Sequence, residues 1–368
     1  MRITGAVLET TGATAPFRDS RPFTIGEIEL AEPQGAEVLV RIETAGVCHS
    51  DLSVVDGSRP RPVPMLLGHE AAGIIEQLGP DVHDLVIGDR VVMTFLPRCG
   101  DCDGCRTEGR LPCAVGTAAN AAGELVGGVK RLSRIGAGDA VNHHLGVSAF
   151  ASHAVVHRTS VVPVPADVPA EIAALLGCAV LTGGGAVLNS VRAQPGTTLI
   201  IVGLGGVGMA ALLVAVALGV TVIGVDAVAS KLSTALELGA ARALTPAEAQ
   251  AEDLRAPAVL EAAGSAKAFE TAVGLTAPGG TTVTVGLPSP DARAAIAPVV
   301  LTAEARTIVG SYLGSAVPSR DIPTFVELWR RGDLPLERLV SSRIRLDELP
   351  DAMDRLAQGG ELRQLIEF

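Results

Sequence analysis

The sequence is poor in aromatic residues and in positive charge. Phe, Trp and Tyr together make up only 2% of the 368 residues, so a core has to be built from Val, Leu, Ile and Ala. Lys and Arg number 29 against 40 Asp and Glu, which gives a net charge of −11. So acidic a chain is a poor partner for nucleic acid or for an anionic membrane surface. We therefore expect neither as a partner.

Long apolar segments are also scarce. No apolar run of signal-peptide length opens the sequence, and we expect a cytoplasmic protein. Residues 207–225 carry no charge, but they follow a glycine-rich turn and are interrupted by Gly208, Gly219 and Gly224. This pattern favours a buried helix followed by a buried parallel strand over a membrane span.

The order of sequence patterns predicts an α/β protein of two domains. A length of 368 residues with 48% hydrophobic content is enough for two packed cores. Up to about residue 170, short apolar runs such as EVLVRIETAGV and RVVMTF are separated by Gly, Pro and Asp, which is typical of strands. From residue 197, strand and helix patterns alternate, as in a doubly wound parallel sheet covered by helices on both faces.

Four of the six cysteines lie in one short segment with the spacing C-x2-C-x2-C-x7-C: Cys99, Cys102, Cys105 and Cys113. Four thiolates this close can surround one tetrahedral Zn²⁺ and leave no position open, so the segment predicts a structural zinc site. The same residues could hold an iron–sulfur cluster or form two disulfides, although disulfides are rare without a secretory signal. The spacing favours zinc.

The other two cysteines, Cys48 and Cys178, are far apart, and His69 lies between them. A set of two cysteines and one histidine leaves the fourth position of zinc open, as catalysis requires. Zinc in such a site lowers the pKa of a bound alcohol. Taken singly, however, a buried cysteine is usually a small hydrophobe. The residues alone therefore leave the second site open.

The segment GLGGVG follows the apolar pattern TTLIIV and opens a helix. In that setting its glycines predict a dinucleotide-binding turn, with the phosphates at the helix N-terminus. The glycines concerned are Gly203, Gly205, Gly206 and Gly208. Asp226 ends the next predicted strand, where its carboxylate can bond both ribose hydroxyls and repel a 2′-phosphate. We therefore expect NAD rather than NADP.

Together GVCHSD, LGHEAAG, the four-cysteine segment and GLGGVG resemble the zinc-containing medium-chain alcohol dehydrogenases, over nearly the whole chain. The resemblance implies a GroES-like catalytic domain at 1–179 and 313–368, a Rossmann cofactor domain at 180–312, and an active site in the cleft between them. It implies hydride transfer between a primary alcohol or aldehyde and NAD(H), with one catalytic and one structural zinc per subunit. The long excursion at 114–146 further implies a homodimer.

The same resemblance assigns roles to individual residues. It makes Cys48, His69 and Cys178 the catalytic zinc ligands, surrounded by the acidic Glu70 and Asp51, and it gives the alcohol proton to Ser50. Cofactor contacts fall to Thr182, Val207, Lys231, Arg363 and, at a position that carries arginine in many members, His49. Lys231 and Arg363 could equally be ordinary surface charges. The implied substrate pocket comprises Arg59, Phe95, His144, Leu287 and Tyr312.

Some of these assignments have plain alternatives, and the chain departs from the family in places. Arg59 could face an anionic substrate tail or lie in an exposed loop, and His144 could line the pocket or pack beneath it. Ser53 stands where the family often has a histidine at the end of the proton relay, which puts the proton route past Ser50 in doubt. The short stretch before residue 264 predicts that one helix of the cofactor domain is reduced.

Three other functions fit parts of the pattern. One is oxidation of a thiol adduct of formaldehyde or reduction of a nitrosothiol, which a rise in activity with added thiol would reveal. Another is a non-catalytic protein that binds zinc and dinucleotide. The third is a zinc-free quinone reductase, against which the complete set of Cys48, His69 and Cys178 counts.

Overall fold

The computed structural model describes residues 1–136 and 138–368. The strands in chain order are β1 (Arg2–Leu8), β2 (Phe23–Leu30), β3 (Glu37–Val47), β4 (Met65–Leu66), β5 (Glu70–Leu78), β6 (Arg90–Met93), β7 (Leu132–Ser133), β8 (Ala140–His143), β9 (His153–His157), β10 (Val161–Val164), β11 (Thr198–Val202), β12 (Thr221–Val225), β13 (Arg242–Leu244), β14 (Ala256–Glu261), β15 (Thr276–Thr284), β16 (Thr307–Gly310), β17 (Val340–Ile344) and β18 (Arg363–Glu367).

The α-helices in chain order are α1 (Phe17–Ser20), α2 (His49–Val55), α3 (Ala114–Ala122), α4 (Ala170–Leu176), α5 (Ala179–Gly185), α6 (Gly206–Ala217), α7 (Ala229–Glu237), α8 (Pro246–Ala251), α9 (Ala266–Gly274), α10 (Pro298–Ala303), α11 (Pro318–Arg330) and α12 (Leu349–Ala357). A π-helical segment, Ala186–Val191, continues α5. The helix predicted to be reduced is α8, with six residues.

The chain divides into two compact units, Met1–Cys178 with Val340–Phe368, and Ala179–Leu339. In the first unit, β1, β2, β7, β8 and β4 close a small barrel, and a second sheet has the order β10-β6-β5-β3-β18-β17, with β9 also paired to β3. The core of this unit consists of apolar side chains from these strands and from the segments that pack on them. Met93 on β6 and Phe150 belong to it. The β-rich domain predicted from the sequence is confirmed.

The second unit contains one parallel sheet in the order β13-β12-β11-β14-β15-β16. β11, with the sequence TLIIV, lies near its centre, where Ile200 pairs with Ile223 on one side and Val259 on the other. Strands flanked on both sides and covered by helices read as continuous apolar runs, as this one does. The doubly wound sheet is therefore confirmed, and residues 207–225 form α6 and β12 as predicted.

The second domain boundary differs from the sequence prediction. We expected the chain to return to the first domain at residue 313, but 313–339 belongs to the second unit. The reason is tertiary packing on α5. A Cβ on Gly184 would meet the ring of Phe325 at 2.8 Å, and one on Gly314 would meet the Leu181 carbonyl oxygen at 2.4 Å. Phe325 and Gly314 therefore pack closely against α5 and belong to the same unit as this helix.

Among the described residues, no single helix has the length and apolar composition needed to cross a membrane. The bent pair Ala170–Leu176 and Ala179–Val191 meets that criterion only when its two helices are counted together, by length and composition alone.

Candidate active site

Strand pairing in the first unit brings distant parts of the sequence to one point. Cys48 follows β3, whose pairing with β5 sets Gly46 opposite Glu70, and so places His69 beside the end of β3. β18 pairs with β3 on its other side, with Gln364 opposite Val47, which places Arg363 next to Cys48. Cys178 joins them from the end of α4. The register of the central strand therefore assembles the site.

Cys48, His69 and Cys178 are buried, and their ligand atoms all lie within 4.8 Å of one another. Sγ of Cys178 is 3.4 Å from Nε2 of His69. On the other side of the ring, Nδ1 of His69 lies 3.0 Å from Oδ1 of Asp51. Since a carboxylate only accepts, Nδ1 donates to Asp51, and Nε2 is the nitrogen that faces the two sulfurs. This is the donor arrangement that Zn²⁺ requires.

A buried ion pair adjoins these ligands. Nε of Arg363 lies 3.2 Å from Oε1 of Glu70, and both side chains are almost fully buried. A terminal nitrogen of Arg363 lies 3.9 Å from Sγ of Cys48. Gly46 makes room for the carboxylate, because a Cβ there would lie 2.5 Å from Oε1 of Glu70. The guanidinium of Arg363 thus supplies the counter-charge for the buried carboxylate of Glu70.

The pKa values of the cluster reflect this packing. A hydrogen bond from the Cys178 thiol, with help from the charge of Arg363, lowers the pKa of Cys48 well below its usual range despite burial. The same bond, together with burial, raises the pKa of Cys178. Burial raises the pKa of Glu70 to about 7, although Arg363 opposes the shift. The opposite shifts of the two cysteines follow from the close approach of their sulfurs.

The four-cysteine segment forms a separate group whose sulfurs also lie within 4.8 Å of one another. The Sγ–Sγ distance is 3.9 Å both for Cys99 with Cys105 and for Cys102 with Cys113. A tetrahedron with Zn–S bonds of about 2.3 Å has edges of about 3.8 Å, so the sulfurs fit one zinc ion. All six cysteines of the chain are free thiols, which excludes the disulfide alternative in this structure.

The glycine-rich turn of the second unit joins β11 to α6. Gly203 adopts a φ of +97°, which favours glycine, and a Cβ on Gly208 would lie 1.9 Å from the carbonyl oxygen of Gly203. The backbone N–H of Leu204 donates to Oδ2 of Asp226 at 2.7 Å, and that of Val228 donates to Oδ1 at 2.9 Å. Asp226 is thereby fixed beside the turn, where a ribose-binding carboxylate belongs.

Known proteins resemble the chain in both units. Residues 34–166 match the alcohol dehydrogenase GroES-like domain, and residues 206–331 match the zinc-binding dehydrogenase family. Geraniol dehydrogenase of Castellaniella defragrans is 36% identical, over 94% of this chain and 95% of its own. The chain belongs to the zinc-binding alcohol dehydrogenase family. It is therefore an oxidoreductase of the medium-chain type.

Two further relatives of this dehydrogenase extend over almost the entire chain. Alcohol dehydrogenase B of Mycobacterium tuberculosis is 34% identical over 98% of this chain and 99% of its own. The crystal structure of benzyl alcohol dehydrogenase from Acinetobacter calcoaceticus superimposes with a TM-score of 0.90 at 32% identity, covering 100% of this chain and 99% of the other.

The remaining predicted residues of the dehydrogenase are distributed over both units. In the first unit, α2 begins with His49, which is exposed, and Ser50, which is half-buried. Arg59 is partly buried. The ring of Phe95 lies edge-on to that of His69, with a centroid distance of 5.6 Å. In the second lie Thr182, Val207, Lys231, Leu287 and Tyr312. Thr182 is buried on α5, Lys231 is partly buried on α7, and Leu287 is 50% exposed after β15.

Two residues of the dehydrogenase have partners that the sequence did not indicate. Arg363, assigned to the pyrophosphate by resemblance, is 3% exposed and paired with Glu70. His144, assigned to the substrate pocket, lies with Nδ1 3.2 Å from Oδ1 of Asp51. The sequence carries only an indirect signal for these partners, because they depend on which strands and loops become neighbours in the fold.

Proposed function

We propose that this dehydrogenase holds two zinc ions per subunit and transfers hydride between a primary alcohol or aldehyde and NAD(H). The observation that carries the proposal is the buried convergence of Cys48, His69 and Cys178, with Nε2 of His69 turned towards the sulfurs. This set suits a zinc ion with one open position, and the four sulfurs of the other segment suit a closed one. An open site supports catalysis and a closed one stability.

When bound by Cys48, His69 and Cys178, zinc supplies Lewis-acid polarisation of the substrate oxygen. Ser50 then takes the alcohol proton from its position in the first turn of α2. Ser53 does not resemble a terminal base, because its hydroxyl donates to the carbonyl oxygen of Ser50 at 3.0 Å within the helix. We therefore expect the proton to pass from Ser50 to the cofactor ribose or to solvent.

The cofactor preference follows from Asp226. Two backbone N–H groups hold its carboxylate beside the glycine-rich turn, so that its charge meets any 2′-phosphate on the ribose. Like charges brought this close repel strongly, which favours NAD over NADP. Lys231 in the first turn of α7, five residues after Asp226, is the proposed partner of the ribose on the other side.

We propose an apolar, unsaturated primary alcohol as the substrate. Relatives that cover nearly the whole chain are named for geraniol and for benzyl alcohol. In this chain, Phe95 is buried with its ring against His69, which provides an aromatic wall at the proposed metal ligands. Aromatic side chains pack well on flat, unsaturated groups.

The first experiment combines zinc analysis with kinetics. We expect two zinc ions per chain and oxidation of benzyl alcohol and geraniol with NAD. Cys48→Ala should lose one zinc and its turnover while NAD still binds, as measured by calorimetry. Full activity in that variant contradicts the mechanism, and a strong rise in activity with added low-molecular-weight thiol would favour a thiol-adduct substrate.

A second experiment addresses the cofactor. Asp226→Asn removes the charge and keeps one oxygen, which can accept from Leu204 or from Val228 but not from both. We expect the ratio of kcat/KM for NAD to that for NADP to fall by at least about tenfold, which corresponds to about 1.4 kcal/mol. A wild-type enzyme that prefers NADP, or an unchanged ratio in the variant, contradicts the assignment.

A further inference from the structure

Asp51 is the centre of the hydrogen bonding around the proposed catalytic metal. Its Oδ2 accepts from the backbone N–H of Cys48 at 3.2 Å. Its Oδ1 accepts from the backbone N–H of Gly68 at 3.2 Å and from Nδ1 of His69 at 3.0 Å. One fully buried carboxylate therefore fixes two metal ligands that come from different elements, Cys48 through its backbone and His69 through its ring.

A third nitrogen reaches the same oxygen. Nδ1 of His144 lies 3.2 Å from Oδ1 of Asp51, and the ring of His144 meets that of His69 edge to face, with centroids 5.5 Å apart. His144 is 1% exposed and Asp51 is completely buried. Two backbone N–H groups and two imidazole nitrogens therefore lie around the carboxylate of Asp51.

The backbone around His144 is built to hold the ring in place. Its N–H donates to Oγ of Ser148 at 2.8 Å, and its carbonyl oxygen accepts from the N–H of Ser148 at 3.2 Å. Ser148 and Leu145 both have positive φ values, +56° and +53°, which are unfavourable for residues other than glycine. Strained backbone in a buried loop is retained where the surrounding structure requires a particular geometry.

The loop of His144 is also tied directly to the loop of His69. The N–H of Ala149 donates to the carbonyl oxygen of Gly68 at 3.0 Å, and the N–H of Phe150 donates to that of Leu67 at 3.0 Å. A Cβ on Gly68 would lie 2.5 Å from the nitrogen of Phe150, so the two segments are in close contact. The two imidazoles are therefore set at a fixed distance from each other, and both approach Oδ1 of Asp51.

We propose that His144 is a positioning residue for the metal site: by holding Oδ1 of Asp51, it keeps Nε2 of His69 directed at the zinc ion. It acts from beneath the ligands and does not contact the substrate. Removing it takes away the ring that lies against Oδ1 of Asp51 and gives the carboxylate room to turn, which loosens His69 and Cys48 together. Groups in this position typically change metal affinity by about 10–100-fold.

The test compares two amides at position 144. In His144→Asn the amide nitrogen lies close to the place of Nδ1, whereas in His144→Gln it reaches the place of Nε2. His144→Leu removes Nδ1 and leaves a side chain of similar volume. Zinc release from the holoenzyme is followed with the chromogenic chelator 4-(2-pyridylazo)resorcinol. We expect Leu and Gln to accelerate release of the weaker-bound zinc by about 10–100-fold, and Asn to restore most of the wild-type rate.

His143→Gln is the matched control. His143 is equally buried and adjacent in sequence, but its Nε2 accepts from the backbone N–H of Arg131, and its Nδ1 has no hydrogen-bond partner among the described residues. Its zinc release should match that of the wild type. In the cobalt-substituted enzyme, His144→Leu should shift the visible absorption bands of the metal, and His144→Asn should leave them in place.

A double-mutant cycle separates the route of the effect. If His144 acts through Asp51, His144→Leu should add little to the zinc release already caused by Asp51→Asn. Additive effects contradict the proposal. The proposal is also contradicted if His144→Leu releases zinc at the wild-type rate but has a raised KM for the alcohol. That result would indicate that His144 contacts the substrate.

The inference rests on the proposed zinc site but not on the proposed substrate, and the two fail separately. A wild-type protein with no zinc at Cys48, His69 and Cys178 contradicts the proposed function. Two zinc ions in the wild type, with equal release rates in the Asn and Gln variants, overturn only the role of His144. If His144→Leu does not fold, the comparison of zinc release between His144→Asn and His144→Gln still tests the role of His144.

Discussion

Gly208 and Gly205 lie in the same turn, but the structure predicts opposite consequences of replacing each by alanine. A Cβ on Gly208 would lie 1.9 Å from the carbonyl oxygen and 3.0 Å from the carbonyl carbon of Gly203. The atoms in the way belong to the backbone of Gly203. Gly203 cannot move aside, because it is itself packed closely: a Cβ built on it would lie only 2.5 Å from the backbone nitrogen of Ala263. At Gly205, by contrast, a Cβ would meet nothing within 4 Å, and φ is −77°.

Gly208→Ala should therefore destabilise the fold. Overpacking against a rigid neighbour costs about 1–3 kcal/mol or more, because α6 has to move away from the end of β11. In a chain of this size, that corresponds to a fall in Tm of roughly 1–4 °C. Differential scanning fluorimetry without cofactor measures it directly.

Gly205→Ala should leave the Tm within about 1 °C of the wild type, because surface changes without a clash alter stability by about 0.5 kcal/mol or less. Its NAD affinity should fall by about tenfold or more, since the new methyl group occupies the space through which a pyrophosphate approaches the turn. Calorimetric titration with NAD is the assay. Wild-type NAD affinity in Gly205→Ala, or a wild-type Tm in Gly208→Ala, would refute the reasoning.

Three further predictions concern the metal sites and the assembly. Cys102→Ala should lose one zinc ion per chain and lower the Tm, because a structural metal contributes folding free energy; a stable variant that retains two zinc ions contradicts this. Arg363→Met should destabilise the protein by about 3–5 kcal/mol, because it leaves Glu70 buried without a counter-charge; adding Glu70→Gln should restore much of the loss in chemical denaturation. Sedimentation equilibrium should give twice the subunit mass of 37.5 kDa if the expected homodimer forms, and the subunit mass if it does not.

Much of the fold is legible in the sequence because burial leaves a pattern in it. The apolar run TLIIV of β11, the glycine-rich turn and the uncharged α6 predict a strand, a turn and a buried helix without any tertiary information. The boundary near residue 313 was wrong for a different reason. The amphipathic pattern of α11 shows that one face is buried, but not that Phe325 packs on Gly184 rather than on the first unit.

The candidate site divides in the same way. The spacing of Cys99–Cys113 is local, so the four sulfurs could be grouped from the sequence alone. The placement of Arg363 depends on β18 pairing with β3, with Gln364 opposite Val47. That of His144 depends on hydrogen bonds between two loops. Neither relation leaves a periodic signal, so resemblance could suggest roles for both residues but not their partners.

The two metal sites differ in when they can be completed during synthesis. The ribosome delivers the chain from the N-terminus, and all four sulfurs of one site are present once residue 113 has emerged. The other set needs Cys178, and its buried counter-charge, Arg363, arrives only with the last strand of the sheet. The closed site can therefore take up metal on a nascent chain, whereas the open site reaches its final electrostatic setting only once residue 363 has emerged.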